Sequence, residues 1–535
     1  MDAAEVETAS EAPAAPTPAP APAPGRTRLA GHNAASSLIY SVVTLGVGLA
    51  ATPMLLRFLG KEGLGAARTA TDLYGWLTLL ELGLGGTLGP LLAGSLARGD
   101  DRRMHHTMAA GTRAYLLLTL PVLAVGSALV ATGLLDRLIP VAASLRVDLH
   151  RAWFVGLIGW MTLAMIPMRA LLEAGQRSYR INFLLTMQAV LVQVAAVALA
   201  YAGGGITGQM AAMAAGTILV ALAIARAACT RHPGLLREIW TTRPDPEVRR
   251  AIWGLSGPTL IFNISGRIAI LSDSIIISAV LGDQSLVLWF FLTQRLALLA
   301  QGQLQGIGNA SWAALAELHA RGERALFNRR LVELTGLVAV LGVAALAPIF
   351  AFNGDFLRIW LKAQAPATGV GDLLIGLAAI NALLVSVFSL WGWCFGGTGR
   401  VRRIVVPSAA AAVLNLVASI ALTATLGLIG PLLGTTIAIL TVTAWTSPLR
   451  LRQDFGTSIP ALVRAVLVPV ALGVPYAFAL RWASRAYPPQ GWVTLAAMMG
   501  CSALAFLLLA GRFLLSPADR HLWLDRLGKV LGRSR

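Results

Sequence analysis

The chain has 535 residues, of which 56% are hydrophobic and only 13% charged, and its mean hydropathy is +0.70. Soluble domains carry about 25% charged residues, so the composition excludes a soluble enzyme or binding module and indicates an integral membrane protein. A formal charge of +18 would suggest nucleic acid for a soluble chain, but here the basic residues sit in short gaps between apolar segments, where they report topology; no nucleic-acid partner is expected.

Residues 1–30 are rich in Ala, Pro and Glu, with the run APAAPTPAPAPAPG. Such a segment buries nothing and is expected to be a disordered cytoplasmic tail. It lacks the charged start and apolar stretch of a signal peptide. Hydrophobicity begins near Ser36. From there about fourteen apolar segments follow, at roughly 36–59, 66–95, 108–134, 152–175, 181–202, 206–227, 252–281, 285–315, 331–353, 372–397, 403–425, 428–448, 461–482 and 491–514. Each is long enough for a bilayer core that takes ~20 helical residues to cross. The fold class is therefore all-α, a polytopic membrane protein.

Arg and Lys set the orientation. With the N-terminus placed inside, the inner gaps and tails hold 28 of them, and the outer gaps hold only Lys61, Arg137, Arg146, Arg358, Lys362, Arg481 and Arg485. Every alternate gap obeys this bias, so both termini are expected in the cytoplasm. The longest inner gap, RHPGLLREIWTTRPDPEVRR, divides the helices into an N-terminal six-helix bundle (31–230), a linker (231–250) and a C-terminal six-helix bundle (251–454). Two further transmembrane helices (455–515) and a basic tail (516–535) complete the chain. An internal echo supports the division. MLLRFLGKEGLG and IIISAVLGDQSL each place an apolar run, Leu-Gly and an acidic residue at the outer turn after the first helix of a bundle, as parallel repeats in transporters would. The tail can lie on the inner leaflet.

Several ionisable and amide side chains fall at membrane depth, where a charge costs at least ~2.5–3.5 kcal/mol on insertion scales and so faces a cavity or a partner. The second segment carries Arg68, Asp72 and Glu81, and the i, i+4 spacing lets Arg68 and Asp72 pair. The seventh carries Asn263, Arg267 and Asp273. The eighth carries Gln294, Gln301 and Gln305 in one stripe with Arg295 beside it. Amides can line a cavity and bond sugar hydroxyls, or serve as glue between helices. Guanidinium is the preferred fork for phosphate. A purely structural ion-pair role for the charged residues is the competing reading. Arg169 and Glu173 read as interfacial anchors, the histidines fall in loops and tails, and Cys229, Cys394 and Cys501 are isolated, without disulfide or metal spacing.

No bond-breaking chemistry emerges. There is no phosphate loop, no HExxH and no soluble catalytic domain, so the chain is expected not to be an enzyme and to need no cofactor. Asp136, Asp148 and Asp355 are too sparse in the outer gaps to make a catalytic loop.

The chain resembles the polysaccharide-transporter, or O-antigen flippase (Wzx-like), branch of the multidrug/oligosaccharidyl-lipid/polysaccharide exporter (MOP) superfamily. The resemblance rests on Asn33 before the first helix, Leu59-Gly60-x-x-Gly63-x-Gly65 at the outer turn, and Leu79-Leu80-Glu81-Leu82-Gly83-Leu84. It continues in Leu271-Ser-Asp273-Ser-Ile-Ile-Ile-Ser-Ala-Val-Leu-Gly282 and in Ala316-Glu317-Leu318-His319-Ala320-Arg321-Gly322, and it spans about 31–454. It implies a V-shaped pair of bundles that rock about a central cavity in the bacterial inner membrane. The implied cargo is undecaprenyl-pyrophosphate-linked oligosaccharide, moved outward for surface polysaccharide assembly, with a polymerase and a chain-length regulator as partners and the transporter as a monomer. On that resemblance Arg68, Arg267 and Arg295 are candidates for pyrophosphate or acidic sugar, the amides Asn263, Gln294, Gln301 and Gln305 for the glycan, and Asp72, Asp273 and Glu81 for coupling or charge balance. Pro90 and Pro258 are hinge candidates. The first helix, SSLIYSVVTLGVGLAATPMLL, lacks the arginines that lipid II flippases of the superfamily place there. Alternative readings are an ion-coupled multidrug exporter of the same superfamily, a membrane polysaccharide polymerase or ligase, and a non-transporting scaffold, which would leave the intramembrane charges without a reason.

Overall fold

The structure, a computed structural model, describes residues 26–77, 84–175, 178–254, 256–362 and 371–513; Glu81 and the expected tails at 1–25 and 514–535 lie outside them. Among the described residues there is no strand. The elements are α1 (Arg26–Leu77), α2 (Leu84–Arg98), α3 (Asp101–Ala131), α4 (Leu134–Leu138), α5 (Ala143–Trp160), which runs through a tight turn into α6 (Ile166–Ala174), α7 (Ser178–Tyr201) and α8 (Gly205–Arg231). Two short helices, α9 (Leu235–Thr241) and α10 (Pro246–Gly254), lead to α11 (Ser256–Leu281), α12 (Gln284–Ala320), α13 (Arg324–Leu361), α14 (Asp372–Gly397) and α15 (Arg402–Leu426). The chain ends with α16 (Gly430–Ala438), which passes through a π-turn at Ile439–Thr443 into α17 (Ala444–Phe455), then α18 (Ile459–Ala486) and α19 (Trp492–Phe513).

Among the described residues eleven helical stretches are long and apolar enough to cross a membrane. Two have double length: Ala35–Leu77 is broken at Gly60, whose backbone (φ 71°, ψ 175°) is not helical, and Arg402–Phe455 is broken near Gly427 (φ 65°). Counting each as a pair and adding α11, whose apolar part is Leu271–Leu281, agrees with about fourteen crossings. Helix ends run past the hydrocarbon limits that hydropathy marks. α1 begins at Arg26, inside the expected tail. α13 covers 38 residues, because its polar first turns are held by Arg329 and Arg330 on Glu333 at 3.0 and 2.6 Å, the i+4 and i+3 pairs that support solvated helix. Asp100 caps α3, accepting from Arg103 N at 2.8 Å, and Asp283 caps α12, accepting from Ser285 N at 2.8 Å, each satisfying an orphan donor.

Three apolar clusters fill the molecule. One is drawn from the second arm of α1 through α10 and centres on Trp153, which stacks on Tyr74 at 4.4 Å and 10° and donates to Gly126 O at 2.8 Å. The second runs from α11 to α19 around Phe327, Phe395 and Phe506. The third joins α1, α7 and α8 to α12, α13 and α19 through Leu55, Leu56, Leu288, Phe352 and Trp360, and lies near Gly60. The segment between α8 and α11 packs on α3: Arg113 Nη2 donates to Trp240 O (3.1 Å) and Thr242 O (2.9 Å), and His106 Nδ1 lies 3.0 Å from Arg243 O. Helices α18 and α19 lean on α13, where Arg481 donates to Ala351 O at 2.8 Å and bridges to Asp372 at 2.5 Å. Outward faces are apolar, with Leu117, Phe183, Val406 and Val493 among the exposed side chains, as a lipid-facing surface requires.

The polar contacts between residues 26–231 and residues 256–513 gather toward one end, that of Gly60 and Gly282. Thr69 Oγ1 donates to Gln284 Oε1 at 3.0 Å; Gln284 Nε2 donates to Pro140 O at 3.1 Å and to Ser278 Oγ at 2.6 Å; Ser278 Oγ donates to Leu138 O at 2.5 Å. Trp360 Nε1 donates to Leu49 O at 2.7 Å. Gly65 is needed here because a Cβ would collide with the Gln284 carbonyl oxygen. Two outcomes follow. With the three native cysteines replaced, Thr69→Cys with Gln284→Cys should form a disulfide under mild oxidant, and Gly65→Val on that background should reduce its yield at least fivefold on a gel-shift assay. Trp153→Ala should cost ~3–5 kcal/mol, seen as a lower thermal-unfolding midpoint of the purified chain.

Candidate functional site

The second arm of α1 and the first half of α12 meet at membrane depth just inside the joined end. Arg68 is held by Asp72 one turn on: Nε donates to Oδ2 at 3.1 Å, and Nη2 lies 2.8 Å from Oδ1. The Asp72 side chain is 4% exposed, but that of Arg68 is 32% exposed, so one face of the guanidinium stays open. Its carbon lies 4.2 Å from the centre of the Phe291 ring, and Arg295 approaches the same ring at 5.5 Å. Phe291 is one turn before Arg295 on α12, so the two guanidiniums meet around one aromatic ring, whose electron-rich faces attract cations. Gly48 makes room for this: a Cβ there would lie 2.8 Å from Arg295 Nη2.

Asp273 lies beside Asp72 across the seam; its Oδ1 is enclosed and has no hydrogen-bond partner among the described residues. The next residue, Ser274, bonds Asp72. Four of the expected site residues are thereby brought together, namely Arg68, Asp72, Asp273 and Arg295. Among the described residues one carboxylate, Asp72, is engaged by a guanidinium of this pair, that of Arg68, which leaves the pair with cationic character.

The other candidates lie elsewhere. Gln294 is buried, and its Nε2 turns back toward Phe290 O at 3.5 Å. Gln301 and Gln305 lie on nearly the same side of α12 but are half-buried. The difference comes from position along the helix. Gln294 lies where the two halves touch, whereas the later amides lie where α12 diverges from them, with Gly302, Gly306 and Asn309 exposed beside them. Arg267 is exposed on α11. Asn263 is in α11, with its side chain outside the described set. Arg169 and Glu173 pair at 2.8 Å with both side chains more than 40% exposed.

Sequence reasoning missed Phe291, Gln284 and Ser274. Phe291 carried a readable signal, the i, i+4 spacing to Arg295. Gln284 follows the α12 cap and reads as a turn residue; only the fold places it 215 positions away against Thr69. The three aspartates expected in outer gaps are all in structural use. Asp136 meets His150 Nε2 at 2.8 Å, Asp148 accepts from Ile206 N and Thr207 N at the start of α8 (2.7 and 3.2 Å), and Asp355 meets Arg358 at 2.9 Å.

No family model matches the sequence, and none of the curated proteins matches it. Solved structures do match in fold. A lipid II flippase MurJ in an inward closed conformation aligns with a TM-score of 0.67 at 12% identity, covering 90% of this chain and 99% of its own. A multidrug resistance MATE family transporter of the MOP superfamily, inward-facing, aligns at 0.57 and 17%, covering 84% and 99%. A MOP superfamily transporter from Pyrococcus furiosus aligns at 0.53 and 16%, covering 86% and 99%. These neighbours are transporters and flippases rather than enzymes, and the chain has the all-helical membrane fold that MurJ and the MATE transporters share.

Proposed function

We propose that the chain is a flippase of lipid-linked oligosaccharide, of the O-antigen (Wzx-like) kind, working by alternating access in the bacterial inner membrane with both termini cytoplasmic. The observation that carries the reading is the pair of guanidiniums on Phe291, set at membrane depth on the seam between residues 26–231 and 256–513. Two cations so close repel in low dielectric, and an anion between them removes that cost. A pyrophosphate supplies several acceptor oxygens at once and suits two forks better than a carboxylate does. The same excess of cation disfavours cationic drugs, which weighs against the exporter reading. The engaged state of Asp136, Asp148 and Asp355 weighs against an outer-loop polymerase or ligase.

In this reading the cargo enters at the arginine-rich end, away from the seam of bonds at Gly60 and Gly282. The pyrophosphate reaches Arg68 and Arg295, with Gln301, Gln305 and Asn263 along the path of the sugars and Arg267 at its margin. Occupation competes with Asp72 for Arg68. Freeing Asp72 beside Asp273 brings two carboxylates together at the seam, and their repulsion loosens the bonds of Gln284 and Ser278 so that the outer end can part. Asp72 and Asp273 then act in coupling, with Glu81 as a further acid on the same element. The polymerase and chain-length regulator act on the delivered units, and a monomer suffices for the cycle.

The test is the carrier-linked glycan in cells lacking this chain. Wild type should clear repeat units from the cytoplasmic leaflet, and Arg68→Ala or Arg295→Ala should leave them there with at least tenfold lower clearance. Units that reach the outer leaflet without lengthening in the deletion strain would replace the flippase with a downstream enzyme; no change in glycan together with altered drug sensitivity would favour the exporter. Arg295→Lys should keep part of the activity, about a tenth of wild type, because an ammonium retains the charge and loses the fork, as flipping of a fluorescent lipid-linked sugar in proteoliposomes would measure.

A further inference from the structure

A second site lies away from the arginine pair, at the arginine-rich end of the second half. Helices α11, α14, α15 and α17 line a partly open cavity of about 210 Å³. Drug-sized pockets run from ~300 Å³ upward, so this one holds a single ring.

Its walls carry a particular chemistry. Phe262, Phe388 and Trp393 present aromatic surface. Trp393 also stacks on Trp312 of α12 at 6.4 Å and 25°, and both residues are exposed (38% and 40%). Four hydroxyls reach the same space: Ser389, Ser408, Thr443 and Ser447. Other hydroxyls of these helices bond back to their own backbone, as Ser386 does to Ala382 O at 2.6 Å and Thr441 to Ile437 O at 2.7 Å, and so does a fifth hydroxyl of the cavity wall, Thr446, to Val442 O at 2.8 Å. The four at the cavity make no such bond among the described residues. Arg450 also lines it, its one hydrogen bond among the described residues a 3.5 Å contact to Gln453.

The π-turn at Ile439–Thr443 helps to build the wall. One extra residue per turn resets the helix phase, so that Thr443, Thr446, Ser447 and Arg450 fall on one face at i, i+3, i+4 and i+7. Pro407 of α15 lines the cavity as well.

We infer that this cavity is a subsite for one pyranose ring bearing an acidic substituent. A sugar is apolar on its C–H face, which packs on aromatic rings whose faces are electron-rich, and hydroxyl-rich at its rim, which suits free Ser and Thr groups that both donate and accept. The guanidinium of Arg450 adds a fork for a carboxylate or phosphate. An acyl chain would use the aromatic walls and leave four hydroxyls and a cation unpaired. The inference deepens the proposed function by giving the glycan a holding point separate from the pyrophosphate, on the side where cargo would load.

Saturation-transfer NMR of glucuronate and glucose with the purified full-length chain in nanodiscs tests it. Glucuronate should saturate with a Kd of about 1 mM, at the weak end of ligand affinities, and glucose several-fold more weakly. Trp393→Ala should weaken both at least tenfold, Trp393→Phe should retain most of the binding, and Arg450→Gln should erase the preference for glucuronate while leaving glucose unchanged. Ser408→Leu, which fills the cavity from α15, should abolish binding at an unchanged unfolding midpoint. Arg295→Ala should leave both sugars bound as in wild type. Absence of a saturable glucuronate signal, or binding unmoved by Trp393→Ala and Ser408→Leu, overturns the subsite and leaves the cavity to a lipid tail; loss on Arg295→Ala moves the sugar to the central site. A chain that binds glucuronate here but flips no lipid-linked oligosaccharide would refute the proposed function and keep the subsite.

Discussion

Lipid cannot solvate a charge, and the arrangement around Phe291 follows from that constraint. Arg68 meets it with Asp72, one turn away, and with the ring of Phe291. Arg295 has no carboxylate within reach of a salt bridge among the described residues and leans on the same ring, 5.5 Å from its centre. Gly48 and Gly65 are small because helices must approach closely enough to bring these groups together. The local anatomy of α1 and α12 is therefore set by one shortage, that of negative charge.

The seam that keeps those helices together is made of several modest bonds. Interhelical hydrogen bonds in membranes average ~0.6 kcal/mol each, so the set around Gln284 and Ser278 holds one end closed without locking it. The third apolar cluster lies beside these bonds and gives the contact its area, and the hydrogen bonds give it register. A seam of this kind suits a protein that must open it again. Helix α18 braces α13 through Arg481 on Ala351 O and α14 through Arg481 on Asp372, and so stiffens the partner against which α1 closes.

Much of this was legible beforehand, and the boundary falls at a physical limit. Helical spans, their breaks at Gly60 and Gly282, and the Arg68–Asp72 pair are local properties, readable from hydropathy, glycine and i, i+4 spacing. The amide stripe was legible as a pattern, but its division into a buried Gln294 and half-buried Gln301 and Gln305 was not, since it depends on where a second body stops touching α12. The meeting of Arg68 with Arg295, and of Asp72 with Asp273, joins positions some two hundred residues apart, which no local period encodes. The hydrocarbon limits marked by hydropathy also understated α13, because ion pairs such as Arg330–Glu333 extend helix into the aqueous layer, where hydropathy registers only polarity.

The turns at Gly60 and Gly282 share a left-handed backbone, φ 71° and 70°, and have almost no loop: α1 resumes directly after Gly60, and two residues separate α11 from α12. A reversal without slack works as a stiff elbow. Arg68 lies eight residues past Gly60, ~12 Å along the helix at 1.5 Å per residue. A rotation of ~15° about that elbow, of the size seen in subunit rearrangements, would carry the guanidinium ~3 Å, a whole hydrogen-bond length. The lever arm is long enough to convert a small tilt into the making or breaking of the Arg68 contacts, so the grip on an anion and the attitude of the helices cannot vary independently.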